Sequence, residues 1–349
     1  MKWPNDLTNI LSTEWKFLSR NQVAILFYLL ILSLFCFFLA TSIGSYNISL
    51  PDIFFGSSEP LQKIVLLEIR LPRVFLSALV GASLGIAGAA LQGLFRNPLA
   101  DPGLIGVSAG AALGAALIIV IGSTFFSDFI LGVFLLPIAA ISGSSLVILL
   151  LYILTQGFGH QGITYMLLVG IAVNAIASVA IGILTFISTD SELRGLTFWT
   201  MGSFGGATWP LLLPALIIIV VSLCYLFPCA RQLDLLQLGE PEAYRLGVNI
   251  KQLKYRVIFS SAAAVGASVA VSGMIGFVGL VVPHLARLIG GVNHNYLLPA
   301  SALMGALLMT SADLISRVII QPAELPVGLI TSAIGSPFFL WLIFRLRRP

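Results

Sequence analysis

The chain has 349 residues, 58% of them hydrophobic and 9% charged, with a mean hydropathy of +1.03 and a formal net charge of +4. Soluble domains carry about 25% charged residues, so this composition excludes an ordinary soluble enzyme and places the chain in a membrane. So small a net charge points to no nucleic-acid partner, and with no stretch that reads as a second, soluble domain, residues 1–349 form one transmembrane unit.

The first twenty residues are polar and include Lys16 and Arg20; no small-residue cleavage site ends the apolar run that follows, so they read as a retained lead-in to a membrane anchor. Asn21–Pro51 contains no Asp, Glu, Lys or Arg, and Phe129–Thr189 adds 61 residues without one, enough for two spans of about 20 residues each. Lipid leaves the amides of irregular backbone unsatisfied, so such runs are helices. The residue alternation of a membrane barrel is missing. Ten helical segments are predicted, near 23–44, 73–95, 104–122, 129–155, 163–187, 210–228, 257–281, 283–292, 297–319 and 327–345, the eighth too short to span alone.

With the N-terminus inside, the cytoplasmic segments hold twelve of the eighteen Lys and Arg residues: Lys2, Lys16, Arg20, Arg96, Arg231, Arg245, Lys251, Lys254, Arg256, Arg345, Arg347 and Arg348. The opposite side keeps Lys63, Arg70, Arg73, Arg194, Arg287 and Arg317. Positive charge gathers on the cytoplasmic side of membrane proteins, so both termini are expected there.

Val80–Pro98 recurs as Val265–Pro283, with six identities in nineteen positions; both copies open Val-Gly-Ala-Ser, and the 185-residue spacing marks two halves rather than a solenoid. The copies fall in the second and seventh predicted helices, an odd displacement of five spans. The repeat is therefore inverted and relates helices two to five to helices seven to ten. Inverted repeats place alternating access between the halves, and interrupted apolar segments mark the moving or binding parts. The interruptions here are Arg96–Gly103 and Val282–Arg287; Asn97, Pro98 and Pro283 are the predicted helix breaks, because proline removes a backbone donor. Gly81 and Gly85, then Gly106, Gly110 and Gly114, strip side chains from single helix faces, which favours a tight bundle.

Between the sixth and seventh helices, Ala230–Arg256 carries apolar residues at helical spacing, with Gly239 and Gly247 as punctuation and Glu240 and Glu242 ahead of Arg245. Two short helices are predicted, the second starting near Pro241 with acids in its first turn, where the helix dipole favours them. Spacing alone leaves two readings for residues 230–256: a helix resting on lipid headgroups, or a surface built to touch a protein. Cys36, Cys224 and Cys229 form no metal-ligand pattern and read as small packing residues. Nothing in the chain implies a cofactor or a metal.

Several runs together carry a family resemblance. Arg70-Leu-Pro-Arg73, Val80-Gly-Ala-Ser83, Gln92 through Asn97-Pro98 to Gly110, Phe198–Gly206, Leu238-Gly-Glu240, Ala243-Tyr-Arg-Leu-Gly247, Gly276 through Pro283-His284 to Arg287, and Ala323–Gly328 resemble, in order, the permease family of bacterial ABC importers for iron-siderophores, haem and cobalamin. The resemblance implies an all-α, polytopic permease of the type II importer fold in the bacterial inner membrane. It implies a second copy of the chain, two cytoplasmic ATPase subunits and a periplasmic binding protein as partners. The chain has no Gly-Lys pair and so no phosphate loop; the family places ATP hydrolysis in a separate subunit. Gly239, Glu240, Ala243, Arg245, Leu246 and Gly247 are thereby assigned to the ATPase contact.

On the opposite face the resemblance makes Arg70, Arg73 and Arg317 receivers of carboxylates from the binding protein, a task suited to bidentate guanidinium groups. The plainer alternative pairs them with Glu68 or Asp313 in the same chain. Ile163 and Thr164 fall where the family narrows its path to the cytoplasm. Ser188–Pro210 looks most like haem permeases, and cobalamin and siderophore members carry close variants; His160, His284 and His294 read as structural rather than as haem ligands. The rival class is an ion-coupled secondary transporter, which needs a buried acid or base at mid-membrane; Asp313, with Arg317 one turn later, is its candidate.

Overall fold

The computed structural model describes residues 18–44, 60–122, 132–155, 162–321 and 323–346, and no strand occurs among them. Helix α1 (Arg20–Ser42) starts at a capping box: Gln22 N donates to Ser19 Oγ, and Ser19 N donates to Gln22 Oε1. Helix α2 (Pro60–Phe95) widens into a π turn over Val65–Arg70 and stops at Arg96, whose φ of 51° is left-handed. The chain then turns through Asn97 and Pro98, outside any helix. A 3₁₀ turn, Pro102–Ile105, capped by Asp101 accepting from Gly103 N at 2.7 Å, leads into α3 (Val107–Leu117), which loosens into a π turn to Gly122.

There follow α4 (Gly132–Thr155), α5 (Gly162–Ile187), α6 (Asp190–Met201), α7 (Trp209–Leu226), α8 (Ala230–Leu236) and α9 (Glu240–Arg245). The last four are α10 (Ile250–Ser272), α11 (Val278–Gly290), α12 (His294–Val318) and α13 (Val327–Leu346). Seven of the described helices are long and apolar enough to cross a membrane, and three shorter apolar ones cover Val107–Gly122, Val278–Gly290 and Val327–Leu342. These ten match the ten predicted segments.

Three boundaries need correction, the first being the start of α2, at Pro60 and not near residue 73. Helix α10 ends at Ser272, not near residue 281, and the break occupies 273–277; Pro283 lies buried inside α11 and breaks nothing. Gly273 ends α10 at φ 70°, and Phe277, itself at φ 68°, seats its side chain on Gly335 of α13. The left-handed turn stops the helix before the proline is reached, and packing against neighbours holds a proline inside a membrane helix. No predicted segment covers α6. Its start is a second capping box, Thr189 with Glu192, so the signal lay in Thr-Asp-Ser-Glu.

Packing interlocks the two halves. Helices α2 and α12 run antiparallel: Arg73 meets Asp313, Ser77 meets Thr310, Gly81 meets Gly305 and Gly85 meets Ser301. At Gly81 and Gly305 each bare backbone lies against the other's carbonyl, an approach that only glycine permits. In the second repeat copy, Gly266, the counterpart of Gly81, is pressed by Ser144 of α4. The first helix of each copy therefore packs on the third helix of the other.

The bundle has two distinct ends. At one, here the connector end, α8 meets the close of α2 and the start of α12: Gln237 Nε2 donates to Gly93 O at 2.8 Å, and His294 N donates to Asp234 Oδ1 at 2.9 Å. At the other, the arginine end, Arg70, Arg73 and Arg317 lie together with Asp313 and the close of α1. One apolar core, including Leu94, Leu233 and Leu297, fills the connector half, and another, including Leu76, Phe204 and Met309, fills the arginine half.

Candidate functional site

At the connector end, Ala230, Leu233 and Leu236 bury one face of α8, which fixes its footing on the bundle. Helix α9 begins at Gly239, whose φ of 109° is closed to most side chains. Glu240 sits in the first turn and pairs with Lys254 of α10 at 2.8 Å, both side chains 13% exposed, so the base of the short helix is clamped. Ala243 is fully buried and points inward, while Arg245 is exposed and pairs with Glu242 one turn back, at 2.9 Å. Gly247, at φ 87°, turns the chain toward α10.

Exposure separates the assigned residues. Ala243 and Glu240 hold the connector in place; Arg245 and Leu246 face outward. Leu238 and Tyr244 complete the outer face with Leu246; the three are 63%, 73% and 57% exposed on a segment that lies beyond the apolar spans. Three large apolar side chains thus project from a segment whose base is clamped by the largely buried Glu240–Lys254 pair, with the exposed Glu242–Arg245 pair beside them. In the sequence, the signal for Leu238 and Tyr244 was an apolar residue out of register with the buried face of an otherwise polar stretch.

Between the two ends, both helix interruptions face one cavity of about 410 Å³. Asp101 and Pro102 line it from the first break, Met274 and Gly276 from the second, and Gly328 and Ser332 from α13. Gln92 ties the walls together: its Nε2 donates to Gly279 O at 3.2 Å, and its Oε1 accepts from Arg287. Helix α11 therefore runs toward the connector end, where Gly290 O accepts from Gln22 Nε2 at 2.8 Å. Arg287 belongs on that side, not the opposite one.

At the arginine end the three assigned side chains do come together, but they turn inward. Arg70, Arg73 and Arg317 are 5%, 6% and 7% exposed. Arg73 donates Nε to Asp313 at 2.9 Å and Nη1 to both oxygens of Glu324 at 2.8 and 3.0 Å. Arg317 pairs with Asp313 Oδ2 at 3.2 Å and donates to Ala40 O, and Arg70 donates to Thr41 O and Ser42 O. The pairing expected as the plainer alternative is thus present for Arg73 and Arg317, both on Asp313, and Arg70 is held by main-chain carbonyls instead of Glu68 among the bonds described; buried guanidinium groups need such partners inside the chain. The same network occupies Asp313, which sits between two arginines and not beside the breaks. Glu324, with its side chain 46% exposed, is the network's open edge.

Ile163 and Thr164 lie in the first turn of α5, and their side chains fall outside the described residues. Of the histidines, His294 holds Asp234 through Nδ1 at 2.5 Å and His284 packs its ring on Phe338, both structural placements; His160 lies outside the described residues.

The model of the FecCD transport family matches residues 30–345. This chain belongs to the FecCD transport family. As a FecCD permease it is a transport subunit of the ABC importer type and not an enzyme. It is 46% identical over 320 residues to the hemin transport system permease protein HmuU of Yersinia pestis, covering 92% of this chain and 95% of that one. It is 40% identical over 291 residues to the vitamin B12 import system permease protein BtuC of Vibrio parahaemolyticus, covering 83% and 86%. A solved metal-chelate type ABC transporter in an inward-facing conformation matches with a TM-score of 0.82 at 36% identity, over 92% of this chain and 99% of that one.

Proposed function

We propose that this FecCD permease passes haem, or a closely related iron chelate, across the bacterial inner membrane from a periplasmic binding protein, driven by two cytoplasmic ATPase subunits and working as a pair of identical copies. The observation that carries the cargo is the 46% identity to a hemin permease over 95% of that protein's length, against 40% to the vitamin B12 permease. The connector supports the motor contact: Leu238, Tyr244, Arg245 and Leu246 project from α8 and α9 while Glu240 and Ala243 brace them. Basic residues gather at this end, among them Arg20, Arg96, Arg231, Arg245, Lys251, Arg256 and Arg287, which supports a cytoplasmic connector and cytoplasmic termini. Ile163 and Thr164, at the start of α5 on that side, are proposed to narrow the cytoplasmic exit. On the outer face, Glu324 is the accessible group beside Arg73, so binding-protein docking is proposed to run over Glu324 and the loop before α13.

The test is uptake into liposomes holding the permease, its ATPase and its binding protein, with haem, cobalamin and a ferric siderophore offered in turn. ATP-dependent accumulation of haem is expected. Accumulation without ATP overturns the ABC mechanism, ATP-driven uptake of cobalamin in preference to both iron chelates overturns the cargo class, and preference for the ferric siderophore overturns haem as the cargo within it.

A further inference from the structure

A second concave site lies on the flank of the bundle, in a groove of about 440 Å³ between α7 and α10. Val221 and Tyr225 of α7 and Tyr255, Phe259 and Ala263 of α10 wall it. Tyr255 and Phe259 stack one turn apart with centroids 6.0 Å apart, and the ring of Tyr152 from α4 stands 5.6 Å from each. Tyrosines near the mouth and aliphatic side chains farther along the helices give the polarity gradient of a membrane interface.

Arg256 shares the groove wall. It is half-buried, its guanidinium rests on the Cys229 thiol, and among the described residues no carboxylate pairs with it. Lys254, two residues earlier, is by contrast taken by Glu240. Cys229 stands at the junction of α7 and α8 and Arg256 lies in the second turn of α10, so the unpaired charge lies toward the connector end of the two spans and the groove runs inward from it. A half-buried guanidinium without a counter-ion selects an anion, and a phosphate suits its fork of donors. The apolar wall below selects a hydrocarbon chain, and one molecule carries both.

We infer that this groove binds a membrane phospholipid with an anionic headgroup, its phosphate on Arg256 and one acyl chain along Val221, Phe259 and Ala263. The lipid then bridges α7, which leads into the connector, and α10, which leaves it. Basic pockets between helices near a membrane surface are suited to such headgroups.

The experiment reconstitutes the protein in nanodiscs of mixed phosphatidylglycerol and phosphatidylcholine and counts retained lipid by native mass spectrometry. The wild type is expected to retain phosphatidylglycerol over phosphatidylcholine. Arg256→Gln should lower that retention about fivefold or more, with partial recovery in Arg256→Lys. Val221→Trp, which fills the groove and leaves Arg256 intact, should lower it as much. Excess inorganic phosphate should not displace the lipid. Equal retention by wild type and Arg256→Gln, no effect of Val221→Trp, preference for phosphatidylcholine, or displacement by free phosphate would each overturn the site.

Discussion

Ser268 Oγ donates to Ser83 Oγ across 3.0 Å, and the two serines are the same position of the repeat, 185 residues apart. Ser83 in turn donates to Ala264 O at 3.1 Å, so a small polar network sits where the inverted halves meet. Both serines are fully buried. The two halves thus touch each other through the same position of both repeat copies.

Replacing either serine by alanine should cost about 0.5–1 kcal/mol, and a double-mutant cycle should return a coupling near 0.6 kcal/mol, the usual scale for hydrogen bonds between membrane helices. Ser83→Leu should cost more, about 1–3 kcal/mol, because the site has no room for the added volume. Denaturant unfolding in mixed micelles measures all four.

Gly81→Ala should destabilise the bundle by about 2–4 kcal/mol, since the added methyl meets the backbone carbonyl of Gly305 and α2 and α12 must part. Gly182→Ala on α5 meets nothing within 4 Å, and should leave stability unchanged to within about 1 kcal/mol. Thermal unfolding of the purified variants, side by side, checks the contrast.

Asp313→Ala removes the buried partner shared by Arg73 and Arg317 and should cost about 3–5 kcal/mol. Glu324→Gln touches the same Arg73 at the half-exposed edge and should cost about 1 kcal/mol or less. If Glu324 is part of the docking face, its variant weakens binding-protein association while melting stays near wild type. Surface plasmon resonance on nanodiscs, paired with melting curves, separates the two effects.

Tyr244→Ala should leave melting unchanged, because the ring is 73% exposed, while association with the ATPase falls about tenfold or more, as for a truncated aromatic anchor. Ala243→Leu, at a fully buried site, should show the reverse order: loss of folded protein first. Co-purification of the ATPase and ATP-driven uptake are the readouts.

Much of the architecture was legible in the chain itself. Stretches free of charge marked the spans, since lipid penalises every ionised side chain along a helix regardless of what that helix touches. The position of Pro98 announced a real break because the helix ends before it, whereas Pro283 misled: the turn there was set by Gly273 and Phe277, and Phe277 finds its seat only on Gly335 of a distant helix. The connector was recognisable from Gly239, Glu240 and Gly247, but its outer face was not, because spacing cannot say that Ala243 turns in and Tyr244 turns out.

The sequence by itself determined the membrane setting, the ten apolar helices, the inverted repeat and the family, all properties of local composition and of ordered motifs. Only the tertiary structure decided that Arg70, Arg73 and Arg317 are spent on the chain's own carbonyls and carboxylates, that Arg287 belongs to the connector half, and that Ser83 meets Ser268. The reason is the same in each case: what a buried polar group does depends on which group lies across from it, and those partners stand far away along the chain.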